Sequence, residues 1–405
     1  MSSQDINYTL EDLHRLVNFG LRGNMVSDEM YKKLMPDVVD RYYNNLITKQ
    51  NPVDNNFYKH MKINDLKNHN HIASTEYSKD NDWETTYWED WDILIDDGLI
   101  HNKDYSSGRY SRFHGISLLS AYNKYSRFPL YQPYYKPTNR LSDYGILNST
   151  GPIGYKVAND KNYDDLKVCF TDRYCDNDLT CVFAIFDIGK NSKVTVTELF
   201  ENKIGCKIYN ILYLVRDGAT LNIKRQHDYN NKEQSMNIIE SKFVQFPGSK
   251  LKFEVFGEGS KHNQETIDVE IHDDCKTSVV GTFNLFEDNV NNIYVNVHHK
   301  KPGSSSIVDV RTIGDDFSHS SFCGKINIDQ VAEDTFAHLQ NKNLMVSDTA
   351  VMITEPQLDI NTKEVECSHG CTVSNYDEDM LYYLQSRGVN DIDSEELLKT
   401  CFLKA

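Results

Sequence analysis

The chain has 405 residues, of which 39% are hydrophobic and 25% charged, enough for two or three structural units and for a core that needs neither disulfides nor metal. Sixty acidic against 43 basic residues give a formal charge of −17 with no segregated basic block, which argues against nucleic acid as a partner. No apolar run approaches the roughly 18 to 20 residues of a bilayer span, so no membrane partner is expected, and the nine cysteines form no CxxC pair and no even-numbered disulfide framework.

In chain order, the N-terminal MSSQDINYTLEDLHRL carries acidic residues early and no apolar core of secretory type, which makes the cytoplasm the expected compartment. Residues 1–128 are expected to form a helical domain. Thr9 is a candidate N-cap ahead of Leu10, Leu13, Leu16, Val17 and Leu21, and a second run lies between Tyr31 and Leu46. Between Trp83 and Asp97, three tryptophans alternate with acidic side chains, which reads as an acidic helix or loop over an aromatic cluster. Pro129, Pro133 and Pro137 each remove a backbone donor and push the preceding residue toward extended conformations, so 129–150 is expected to be a linker.

From 151 to 373 the apolar period becomes two, as in Leu166-Lys-Val168-Cys-Phe170, Leu221-Asn-Ile223, Leu251-Lys-Phe253-Glu-Val255, Ile267-Asp-Val269-Glu-Ile271 and Ile293-Tyr-Val295-Asn-Val297. Turn-rich pieces such as Asp217-Gly218 and Pro247-Gly248 separate these strands with no helical pattern between them. A sandwich and a β-helix solenoid both satisfy that pattern. From 374 to 405 the helical period returns, with Met380, Leu381 and Leu384 on one face, Gly388 placed to end a helix, and a second helix from Ser394 to Phe402.

If Val365–Val373 is a strand, Cys367, His369 and Cys371 project from one face. Thiolate and imidazole are donors suited to iron and to cluster chemistry. Spacing of about 6.6 to 7 Å between i and i+2 positions favours a shared site over closed four-ligand chelation. His298 and His299 are adjacent, so on a strand they face opposite ways and cannot chelate together; His298-His299-Lys300-Lys301 reads as a solvated strand end. Cys169, Cys175 and Cys181 read as structural cysteines. Tyr382, Tyr383 and Arg387 are amphipathic anchors of the interface kind, or a cap on the strands. No GxxxxGK[ST] loop is present to cradle phosphates, so no nucleotide site of its own is expected.

An ordered set of landmarks runs through the C-terminal part: His298-His299, Ser306, Phe322-Cys-Gly324-Lys-Ile326, Asn343-Leu344, Thr354-Glu-Pro356-Gln-Leu358-Asp-Ile360, Val365-Glu-Cys367-Ser-His369-Gly370 and Leu381-Tyr-Tyr-Leu384-Gln-Ser-Arg387-Gly388. In these the chain resembles the SufB/SufD family of the SUF iron–sulfur cluster assembly complex, and SufD-like members more than SufB-like ones. The resemblance is strong over 298–402 and weak over the β-rich region from about 165; residues 1–125 carry none of it.

The resemblance implies a mainly β fold: a right-handed parallel β-helix (solenoid) core over 151–373, flanked by an α-helical N-terminal region and a small α-helical C-terminal region. It further implies a non-catalytic scaffold that pairs with a SufB-like subunit through the solenoids and docks a SufC-like ABC-type ATPase on 374–405, through Tyr382, Tyr383 and Arg387. A transient iron–sulfur cluster would be assembled at the subunit interface, with Cys367 and His369 as candidate iron or cluster ligands. Cys371 stands where the family pattern has a small residue, and it either adds a thiolate or fills that space. Two other functions remain open: a homodimeric SufB-like scaffold, and a β-solenoid binding or structural protein without cluster chemistry, whose mark would be a long aromatic or acidic groove.

Overall fold

The computed structural model describes residues 91–96, 99–102, 116–119, 134, 145, 149, 152–171, 179–201, 205–228, 235–258, 261–375 and 378–404. Nineteen strands run in chain order: β1 (Ile93–Asp96), β2 (Leu99–Asn102), β3 (Ile116–Leu119), β4 (Pro152–Val157), β5 (Asn162–Thr171), β6 (Leu179–Ile188), β7 (Lys193–Glu201), β8 (Gly205–Val215), β9 (Thr220–Asp228), β10 (Ser235–Gln245), β11 (Lys250–Glu258), β12 (His262–Ile271), β13 (Lys276–Leu285), β14 (Val290–His299), β15 (Ser305–Gly314), β16 (His319–Ile328), β17 (Thr335–Met345), β18 (Val351–Ile360) and β19 (Val365–Asn375). Two helices follow among the described residues, α1 (Glu378–Ser386) and α2 (Asp391–Lys404), so these counts of strands and helices are of those residues.

Alternation decides which way each strand faces. In β11, Leu251, Phe253 and Val255 are buried while Lys250, Lys252 and Phe256 are exposed. One face is therefore apolar and needs a neighbouring face to cover it. From β4 onward consecutive strands go alternately to two sheets, and each strand pairs in parallel with the one two places further on. The result is a parallel β-solenoid, and a sandwich is ruled out by that parallel i-to-i+2 pairing.

Because the pairing is in register, like positions stack along the solenoid axis. Val196, Ile223, Phe253, Val279, Val308 and Leu339 form one such row on the inner face of the first sheet, all buried in a single core. Each side chain of this kind contributes about 1.5–3 kcal/mol by leaving water. Aromatic stacking adds to it, with ring centroids 4.3 Å apart for Phe170–Phe200 and 4.6 Å for Tyr213–Phe243.

The corners leading from the second sheet back to the first are built alike. Asp160, Asn191, Gly218, Gly248, Asp274, Gly303 and Asp334 all have positive φ, a conformation that Gly, Asn and Asp tolerate best. Each donates its N–H to a carbonyl of the next coil, from Asp160 to Lys190 (2.8 Å) through to Asp334 to Glu364 (2.8 Å). The turns thus form their own hydrogen-bonded ladder.

The two ends of the solenoid differ. At the N-terminal end β2 pairs antiparallel with β1, and β3 antiparallel with β4, which stops the parallel stacking. At the C-terminal end β18 and β19 are the last strands of their sheets among the described residues. Beyond them, Gly388 (φ 89°) closes α1, with Val389 N–H donating to Leu384 O at 3.2 Å. Asn390 caps α2 by accepting from Asp393 N–H at 2.8 Å. The α2 helix is tied to β15 by Arg311 Nη1 donating to Phe402 O (2.9 Å) and, just past the strand, by the Lys399–Asp315 ion pair (3.2 Å).

Within 1–128, expected to be helical, the described stretches β1, β2 and β3 are strands. Ile93, Leu94 and Ile95 are buried in succession, so β1, which pairs with β2 and β5 in its sheet, is covered on both faces, and such a strand shows no alternation. Thr9, the run from Tyr31 to Leu46 and the three linker prolines lie outside the described residues. Among those residues no helix is long and apolar enough to cross a membrane.

Candidate functional site

Strand β19 is positioned by β17, with Cys367 on Ala337, His369 on Leu339 and Cys371 on Asn341. Ala337, Leu339 and Asn341 are buried, so the three candidate ligands extend rows that run along the inside of the solenoid. His369 continues the row from Val196 to Leu339, and it is the row's first polar member. They differ from the residues beneath them in one respect: no further coil covers them among the described residues. Cys367 is half-buried and packs on the core, and burial pushes its thiol pKa up. His369 and Cys371 are exposed.

The row is an open one. Among the described residues no group of three His, Cys, Asp or Glu side chains is arranged to hold a metal ion; donors at i and i+2 on one strand lie about 6.6–7 Å apart. Facing it, β18 presents Leu358, which also packs on the core. Val351, Ile353 and Ile360 of β18 and Val373 of β19 are large apolar residues left exposed. Among the described residues the end of the solenoid therefore offers soft donors, exposed apolar side chains and two strand edges without a partner, an incomplete site that a second molecule could finish.

The helical hairpin carries a separate surface. Tyr382 is 74% and Tyr383 52% exposed, and Met380 of the same helix and Ile392 and Leu397 of α2 are exposed as well. The Arg387 guanidinium lies over the Tyr383 ring, 5.3 Å from its centroid, a cation–π contact that holds both side chains in place.

The other candidates are structural. His298 and His299 do face opposite ways, but the solvated strand end holds only for His298, whose Nε2 lies 2.8 Å from Asp329 Oδ1. His299 is buried, its two ring nitrogens 2.7 and 2.8 Å from the hydroxyls of Ser304 and Ser306. Burial, and then the neighbouring His298, lower its pKa to about 4. Cys169 and Cys181 are buried, and Cys175 lies outside the described residues. Burial raises the pKa of Cys181 far above the ordinary thiol value and pushes Cys206 up to about 12, so neither is a nucleophile at neutral pH.

Sequence reasoning missed a charged cluster inside the solenoid. The fully buried Arg225 guanidinium bonds Glu198 Oε2 (2.9 Å), Glu265 Oε1 (2.7 Å), Ser241 Oγ (2.8 Å) and the Tyr213 hydroxyl (2.9 Å). It lies 4.7 Å from the Phe200 ring centroid and 4.8 Å from that of Phe253. Tyr213 in turn donates to Glu198 Oε1 at 2.5 Å. Burial pushes the Glu265 carboxyl up to about 7 although Arg225 pulls it down, and burial followed by the charge of Arg225 holds His227 well below its ordinary value. The signal was the alternation Leu221, Ile223, Arg225, His227, which puts a guanidinium at an inward position.

The family model described as "SUF system FeS cluster assembly, SufBD core domain" matches residues 179–402, from β6 into α2. An iron–sulfur cluster assembly SufBD family protein of Synechocystis is 28% identical over 196 residues, covering 48% of this chain and 43% of that protein. The iron–sulfur cluster assembly protein SufD of Escherichia coli is 36% identical over 106 residues, 26% of this chain and 25% of that one. SufD of Plasmodium falciparum is 24% identical over 148 residues, 36% of this chain and 10% of that one. In each case the match spans less than half of the relative's length.

Proposed function

The chain belongs to the SufB/SufD family of the SUF iron–sulfur cluster assembly system, and from that premise we propose that it is a SufD-like scaffold subunit whose open solenoid end pairs with a SufB-like subunit to assemble a cluster between them. The observation that carries this reading is the uncovered inner row Cys367, His369 and Cys371 on the last strand.

The cluster is cargo built at this site. Its chemistry asks for thiolate and imidazole donors that can reach it from two chains. His369, exposed at the end of an apolar row, offers a ring nitrogen with no apolar cover to remove. Cys367, whose thiol is held protonated by partial burial, gives up its proton when iron binds. Cys371 supplies a further thiolate from the same face. The exposed Tyr382, Tyr383 and Arg387 surface supports docking of a SufC-like ABC-type ATPase, which would provide the ATP hydrolysis that a non-catalytic scaffold lacks. A place in the cytoplasm belongs to the same reading, since thiol ligands must stay reduced to serve it.

The test is anaerobic reconstitution of the co-purified complex with iron and sulfide, followed by visible absorption. His369→Ala and Cys367→Ser should each lower cluster yield about tenfold or more, by analogy with lost metal ligation, and Cys371→Ala less. Unchanged yield in all three variants would sink the site. Co-purification of two copies of this chain without a SufB-like subunit would favour the homodimeric scaffold.

A further inference from the structure

The corner that carries β15 into β16 buries more hydrogen-bonding capacity than the protein itself satisfies. Thr312 on β15, Ser318 in the turn and Ser320 on β16 are all buried, and Asn291 pairs in register with Ser320 from the preceding coil. Among the described residues, Thr312 Oγ1, Ser318 Oγ, Ser320 Oγ and Asn291 Nδ2 have no hydrogen-bond partner. The Asn291 oxygen, by contrast, accepts from Asn263 Nδ2 at 2.8 Å. Buried polar atoms without partners are rare in folded proteins, and four around one corner mark a place where a guest completes the bonding.

The chemistry of the lining says what that guest is. Three hydroxyls can each donate or accept and one amide donates, while none of the four groups is charged. Such a set suits a small neutral molecule with both roles, and it offers neither the carboxylates that a cation needs nor a balancing charge for an anion. The geometry points to a bound-water site at this corner, in which ordered water joins Thr312, Ser318, Ser320 and Asn291 and so ties two coils together from within.

The site lies behind the strand that bears the candidate ligands. Thr312 pairs in register with Asn343, whose Nδ2 donates to Thr372 O at 3.3 Å and to Asn341 Oδ1 at 2.6 Å. Thr372 follows Cys371. The water would hydrate the inner side of the open end, and it stands or falls separately from the cluster-binding reading.

Thermal unfolding of the full chain tests it through a sign. If water completes these hydroxyls, Thr312→Val and Ser320→Ala each break bonds and lower the Tm, by about 2–4 °C. If the hydroxyls are simply orphaned, the same substitutions remove a desolvation penalty and the Tm rises or stays level, which overturns the proposal. A crystal structure of the unsubstituted chain tests the water directly: an ordered oxygen within hydrogen-bond distance of at least three of the four groups supports it, and an empty or collapsed corner refutes it.

Discussion

Inside the solenoid Glu265 Oε2 and His227 Nε2 lie 3.4 Å apart, with Arg225, Glu198 and the Tyr213 hydroxyl completing the surroundings, and their titrations oppose each other. The folded chain keeps a proton on Glu265 up to about pH 7, whereas an unfolded carboxyl loses it near 4.3. Taken alone, Glu265 therefore contributes stability that is complete at low pH and is lost as pH rises from about 4.3 to 7. His227 is held well below its ordinary value of 6.5. Its contribution is complete above that value and is lost as pH falls. Between about pH 4.5 and 6.5 folding moves one proton from His227 to Glu265 and the two slopes cancel. Separating them should expose each. Glu265→Gln should lose stability, relative to the parent chain, as pH falls below 6.5, and His227→Gln as pH rises from 4.5 toward 7, each by about 1.4 kcal/mol per pH unit. Urea unfolding across that range checks it, and curves parallel to the parent's would refute the exchange.

At the scale of the element, the corner ladder makes a sharper demand than the strands. Gly303 has φ 74°, and a Cβ there would come within 2.3 Å of Asp274 Oδ1, so Gly303→Ala should cost at least about 1 kcal/mol. Gly370, between His369 and Cys371, meets nothing within 4 Å of an added Cβ, so Gly370→Ala should stay within about 0.5 kcal/mol of the parent. Denaturant midpoints of the two variants decide it, and equal losses would mean that the ladder does not set the corner. The same contrast explains what could be read in advance. Strands with one wet face, such as β11 with its Leu251, Phe253, Val255 alternation, were legible as period two. Strand β8 is buried at every position, since its outer face is also covered: Gly145 lies so close that an added Cβ would come within 2.5 Å of Ile208 and Asn210. Its GCKIYNILYLV has no period to read. At the site, Cys367, His369 and Cys371 were legible as one face of a strand, but that the face was the inner one, left uncovered, depended on where stacking ends. No local pattern records that.

For the whole molecule the two ends of the solenoid differ in a way that bears on the proposed pairing. Antiparallel pairing at β1–β2 and β3–β4 ends parallel stacking at one end, while at the other β18 and β19 carry edges that no described strand covers, and apolar residues, with Val373 45% exposed. Exposed edges of this kind invite further strands unless charge or shape prevents it, and a Lys placed here would set a new charge where the exposed side chain is now apolar. Ile353→Lys and Val373→Lys replace exposed side chains, so each should leave the chain's own stability within about 0.5 kcal/mol of the parent. Both should nevertheless abolish or sharply weaken association with a SufB-like partner, because a lysine would have to lose its water where another solenoid seats. Size-exclusion chromatography of the co-expressed chains, alongside the melting temperature of each isolated variant, separates the two effects. An undiminished complex with both variants would place the partner elsewhere and leave Cys367, His369 and Cys371 facing solvent, which would remove the reason for their being uncovered.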